Sequence, residues 1–163
     1  MKTRMSNIRW LGLLGLMGLG GGTAQALENV VLQLKWTHAF QFAGYYAAVE
    51  QGYYREAGLA VEIREATPET DPVKEVVEGR AEYGVGTSGL LLARAAGRPV
   101  VVLAVVFQQS PYEIQAAPHI QTLRDLAGKR LMLEPQAEEL LALLKKEGVA
   151  LDQVEILPHS FHA

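Results

Sequence analysis

Between Val30 and Phe107, apolar runs of strand length alternate with short helical patterns, and glycine closes nearly every helix. That alternation constrains the chain most. Strands separated by helices of about ten residues build a mainly parallel sheet with helices on its faces, an α/β fold. Val30 to Trp36 lacks a clean two-residue alternation, as expected of a strand buried on both faces. Phe42, Tyr45, Tyr46 and Val49 then fall at i, i+3, i+4 and i+7 of a helix ended by Gly52. Tyr53 to Ala57 adds a turn or two, and Gly58 precedes a strand from Ala60 to Arg64. Asp71 or Thr70 caps a helix opening at Pro72, with Val73, Val76 and Val77 inward and Gly79 at its end. Glu82 to Val85 reads as a short strand, Leu90 to Ala96 as a helix, and Val100 to Phe107 as the strongest buried strand of all.

Beyond Phe107 the pattern changes. Gln108 to Pro111 is a polar break, and Tyr112 to Ala116 fits a strand leaving the first sheet. Thr122 to Asp125 resembles a capping box, with Gly128 ending that short helix. Lys129 to Leu133 is predicted as a strand, Gln136 to Glu147 as a leucine-rich helix and Val154 to Leu157 as a strand. These begin a second α/β unit. Two strands are too few to bury a sheet with helices on both faces, so the chain is expected to be truncated or completed by another polypeptide.

The first 26 residues form a separate object. Lys2, Arg4 and Arg9 make a positive start, Trp10 to Gly22 is uncharged and rich in leucine and glycine, and Ala24-Gln25-Ala26 has the small-x-small pattern of a cleavage site. The apolar span falls short of the ~20 residues of a membrane helix. A cleavable signal peptide ending near Ala26, and hence a periplasmic protein, is the expectation. Without Lys2, Arg4 and Arg9 the chain carries 12 basic residues against 18 acidic ones, a net of −6. No basic run points to nucleic acid. With no cysteine in the chain there is no disulfide, thiolate metal site, cysteine nucleophile or lipidated cysteine.

Four loops follow strands, on the side where small ligands sit in open α/β sheets. In the first, Trp36 and Phe40 can stack on a planar ring while His38 and Gln41 bond its edge. The alternative puts both rings in the core and His38 at the surface. In the second, Thr87 and Ser88 lie between Gly86 and Gly89 at a helix start, where hydroxyls and free N–H groups receive an oxygen or simply cap the helix. The third runs from Phe107 to Tyr112 as a hinge and cleft floor. The fourth, Glu134-Pro135, offers a carboxylate for amine or amide donors, or a solvated one favoured by the helix that follows. Tyr45 can reach the first loop from its helix, although the tyrosines at 45, 46, 53 and 54 also make a packing face.

Catalytic patterns are weak. No GxSxG, HExxH or P-loop is present, and the four histidines lack metal spacing apart from His159 and His162. Neither a catalytic set, a metal nor a cofactor is expected.

LKWTHAFQFAGYYAAVEQGYYREAGLAVEI resembles the opening of the SsuA/THI5-like (NMT1) solute-binding proteins. GRAEYGVGTSGLLLARAAGRPVVVLAVVFQQSPY and LRDLAGKRLMLEP are similar to the family's next blocks. The resemblance implies a periplasmic-binding-protein type II fold, with lobe 1 over 27–110 and the beginning of lobe 2, incomplete, over 111–163. It implies capture of a small planar molecule, such as a thiamine-pyrimidine precursor, for the permease of an ABC importer. Carried over, the family's ligand positions are Trp36, Tyr45, Thr87, Ser88, Phe107 and Glu134; His38 and Gln41 are added from the chemistry of their loop. Similar segments also serve as sensor domains of membrane signalling proteins, ahead of a kinase or cyclase output, which is the alternative. One family branch makes pyrimidine with pyridoxal phosphate on a lysine, consuming one of its own histidines. Here no lysine lies around Gly86-Thr87-Ser88, leucine stands near the position of that histidine, and the branch's cysteines are absent, so an enzyme of that kind is disfavoured.

Overall fold

The computed structural model describes residues 26–159. The expected signal peptide, residue 26 aside, lies outside them, as does His162. Strand β1 (Glu28–Gln33) leads through a 3-10 turn at Phe40–Phe42 into α1 (Ala43–Glu50) and α2 (Tyr53–Glu56). Gly52, at φ +79°, joins the two helices in a left-handed conformation that a side chain would strain. Then come β2 (Leu59–Arg64), α3 (Pro72–Val77), β3 (Tyr83–Gly84) and α4 (Leu90–Ala95). A 3-10 turn at Leu123–Leu126 precedes β4 (Arg130–Leu133), α5 (Glu138–Lys146) and β5 (Glu155–Pro158).

Three strands form one parallel sheet in the order β2-β1-β3, with Glu28 opposite Leu59 and Gln33 opposite both Arg64 and Gly84. A second parallel sheet pairs β4 with β5, from Arg130–Glu155 to Leu133–Pro158. The chain is therefore mixed α/β with parallel strands, as the alternation predicted. Val30, Leu32, Leu34, Phe42, Ala66 and Ala81 are buried around the first sheet. Leu126, Leu131, Leu133, Leu140, Leu144, Val149 and Val154 make the core of the second.

Local signals act as expected at two helix starts. Asp71 accepts the N–H of Val73 at 2.9 Å ahead of Pro72, so it, not Thr70, is the cap. Asp125 accepts the N–H groups of Gln121 and Thr122 at 3.0 and 2.8 Å, completing the capping box. Those bonds hold its carboxyl below the ordinary range.

Two predicted strands are absent, and one predicted helical face is realised only in part. Val100–Phe107 is not a buried strand: Val100 is buried, but Val101 and Val106 are each 75% exposed and no sheet includes the stretch. A strand exists only through a partner's edge, and it is buried only by a layer on each face. Among the described residues β3 is only two residues long, and neither sheet includes this segment. Tyr112 to Ala116 is not a strand either; Tyr112 and Ile114 instead pack on the second core. The helical face of Phe42, Tyr45, Tyr46 and Val49 is only partly inward. Phe42 lies in the 3-10 turn and is buried, whereas Val49 is exposed.

Candidate ligand site

Gln33, the last residue of β1, is almost fully buried, and its side-chain N–H group reaches the carbonyls of Leu34, Arg64 and Glu65. Pairing continues past the strand: Leu34 N–H donates to Arg64 O at 2.8 Å and Ala66 N–H to Trp36 O at 3.0 Å. Lys35 and Trp36 therefore leave the carboxyl end of the central strand from a pinned backbone. In the other half His159 N–H donates to Leu133 O at 2.8 Å, which sets His159 beside Glu134 at the carboxyl ends of β5 and β4. The turn behind Glu134 contains Gln136 at φ 63°, a left-handed conformation uncommon for a non-glycine residue.

The two halves meet at these ends. The rings of Trp36 and His159 lie 5.4 Å apart, tilted by 54°. Lys35 Nζ is 3.6 Å from Glu134 Oε1 and donates to Tyr112 Oη at 3.4 Å, over the phenol ring. Both charged groups are mostly buried, so salt screens them less than it would a surface pair. Burial pushes the Tyr112 hydroxyl well above the ordinary phenol range, and hydrogen bonding and negative charge from Glu134 add to it. A second junction lies alongside. Ser88 Oγ donates to Glu139 Oε2 at 3.2 Å, and a Cβ on Gly89 would stand 2.8 Å from Glu138 Oε2, a buried oxygen without a hydrogen-bond partner among the described residues.

Of the residues expected at a site, Trp36, Glu134 and Ser88 lie on these junctions. Thr87 accepts the N–H of Gly89 at 3.3 Å, so its hydroxyl shapes the loop. His38 is held within its own half: its N–H donates to Glu65 at 3.2 Å and its Nδ1 contacts the Tyr46 hydroxyl. Tyr45 packs on Phe42 with ring centroids 6.5 Å apart. Gln41 and Phe107 are exposed, and so is Phe40, at 92%, which removes it from the core. Lys35, Tyr112 as a polar partner, and His159 were not singled out in the sequence for this role. Lys35 adjoins Trp36 in the chain, which was an available signal; the meeting of His159 with Trp36, 123 positions earlier, was not.

Such a place can stack a planar ring and offer it one cation, carboxylates, a phenol and an imidazole. Among the described residues no group of three or more acidic or histidine side chains could hold a metal ion, and no helix is long and apolar enough to cross a membrane.

An α/β chain with aromatic and polar groups at the carboxyl ends of parallel strands is of the class that binds small ligands there. The NMT1/THI5 like family profile matches residues 39–163, and the chain belongs to that family, as its sequence blocks implied. It is 35% identical over 83 residues to the formylaminopyrimidine-binding protein of Halalkalibacterium halodurans, covering 50% of this chain and 25% of that one. It is 27% identical over 140 residues to the riboflavin-binding protein RibY of Chloroflexus aurantiacus, covering 80% of this chain and 40% of that one. The chain thus matches less than half the length of either relative, and both are binding proteins by name, not enzymes.

Proposed function

We propose that the chain is the ligand-facing part of an extracytoplasmic solute-binding protein that takes a small planar heterocycle for an ABC importer. The observation that carries this is the convergence of Trp36, Lys35, Tyr112, Glu134 and His159 at the carboxyl ends of two parallel sheets. Residues 27–110 and 111–163 serve as one lobe and the start of another, with the ligand between them. Trp36 stacks the ring, Glu134 accepts its N–H groups, and Thr87, Ser88 and Tyr45 line the lobe-1 side; His38 and Gln41 shape the entrance loop. Phe107 joins the wall when the stretch that carries it is covered. Relatives named for a pyrimidine and a flavin, both planar nitrogen heterocycles, support the ligand class. Export through a signal peptide cut near Ala26 belongs to the same reading, as does binding without turnover, since the Gly86–Gly89 loop holds no lysine for pyridoxal phosphate.

The test is a titration of the purified chain with riboflavin and with a formylaminopyrimidine, read by calorimetry and thermal shift. A true ligand at 100 times its Kd adds about 2.7 kcal/mol to stability. Trp36→Ala should weaken that binding at least tenfold, equivalent to about 1.4 kcal/mol. Equal binding by the variant would remove Trp36 from the site.

A further inference from the structure

His159 carries two features that packing alone does not explain. Its ring lies against that of Trp36, 5.4 Å between centroids and tilted by 54°. Its Nδ1 is buried and has no hydrogen-bond partner among the described residues. Buried polar atoms are satisfied in the great majority of cases, and an orphaned one calls for a specific reason. Nor is the residue loosely placed, since its backbone N–H is bonded to Leu133 O beyond the last pair of the β4–β5 ladder. A neutral imidazole nitrogen can donate or accept according to tautomer, so it can meet either kind of group on a heterocycle's edge.

Building on the solute-binding reading above, we propose that His159 is a ligand-contacting and specificity-determining residue. Its Nδ1 bonds the edge of the heterocycle stacked on Trp36. Two rings 5.4 Å apart leave no room for a third between them, because each stacked layer needs about 3.5 Å. A ring stacked on the indole therefore moves the imidazole aside, to the ligand's edge. Glu134 stands beside His159 across the β4–β5 ends, so the pair addresses neighbouring atoms of one edge. The edge it selects has an N–H donor for Glu134 next to a ring nitrogen, carbonyl or second N–H for His159. A hydrocarbon ring of the same size offers neither.

The experiment compares wild type with His159→Ala, His159→Phe and His159→Asn, with Trp36→Ala as reference and riboflavin and a formylaminopyrimidine as probes. His159→Ala and His159→Phe should each bind the preferred probe at least tenfold more weakly. His159→Asn places an amide atom where Nδ1 stands, so it should recover part of the loss. Without ligand, His159→Phe should melt within about a degree of wild type, because the one buried nitrogen it removes, Nδ1, is unbonded among the described residues. Binding by both His159→Ala and His159→Phe within twofold of wild type, or a large loss of melting temperature in the ligand-free His159→Phe protein, would overturn the assignment. If Trp36→Ala loses binding and the His159 variants do not, the solute-binding reading stands and only this inference falls. Wild type that binds neither probe removes both.

Discussion

Replacing Gln33 with leucine tests the element that aims the ligand loop. Gln33 is 1% exposed at the end of the central strand, and its Nε2 lies 3.0 Å from Leu34 O, 3.3 Å from Arg64 O and 3.0 Å from Glu65 O. Arg64 O also accepts the N–H of Leu34 at 2.8 Å, so it stays satisfied in the variant. The carbonyls of Leu34 and Glu65 lose the donor that reaches them. Leaving a buried acceptor unpaired costs about 1–3 kcal/mol, and the leucine returns part of this as buried apolar surface. A net destabilisation of about 2 kcal/mol follows. With a urea slope of about 1.5 kcal/mol/M, the unfolding midpoint drops by roughly 1.3 M. Gln33→Glu should fall further, because it brings a carboxylate with no donor up against three carbonyl oxygens. The assay is urea unfolding followed by far-UV circular dichroism and by tryptophan fluorescence, with ligand titration of the folded variant. Gln33→Leu should also weaken binding, since the exits of β1 and β2 are no longer tied beneath Trp36. An unchanged midpoint for Gln33→Leu would refute the account of how this loop is held.

The remaining predictions concern charge and exposed surface. Tyr112 is raised above the ordinary phenol range, so its contribution to stability is complete below pH ~10 and is lost as pH rises through the folded-state value. Tyr54 is raised too, by burial, so an absorbance titration at alkaline pH should show a last-titrating tyrosine that Tyr112→Phe removes. Asp125 is lowered by its capping bonds, so its contribution is present above pH ~4 and lost as pH falls through the folded-state value. Asp125→Asn should flatten the acid limb of the stability curve, whereas a limb identical to wild type would dismiss the capping box as its source. Val102 and Val105, exposed by 50% and 61% in the unpaired stretch, can be changed to lysine. Both changes together should reduce aggregation in light scattering and leave the melting temperature unchanged; a lower melting temperature would show that the stretch is packed in solution.

Much of the local architecture was legible because its causes are local. Asp71 before Pro72, the Thr122–Asp125 pair and the left-handed glycines all act within a few residues of themselves, and each stands where its chemistry placed it. Parallel pairing was legible too, since helices between strands leave little alternative. Val100–Phe107 shows the limit. Its apolar run states what would be stable if covered, and coverage comes from chain far away in sequence or from elsewhere. Phe40 fails for a related reason: an aromatic in a loop has no periodicity to say which way it faces. Trp36 and Glu134 could be named singly from their strand ends, but their partners could not.

From the sequence alone came the class of fold, the family and the strand ends at which to look, because hydrophobic spacing, capping chemistry and the Trp36 to Leu59 block are written within short stretches of chain. Tertiary structure alone decided that Lys35 faces Glu134 and Tyr112, that His38 is engaged by Tyr46 and Glu65, and that His159 lies on Trp36. Those contacts form between side chains from separate strands, loops and helices. They depend on the register of two sheets and on how the sheets' ends meet, and no window of sequence contains either.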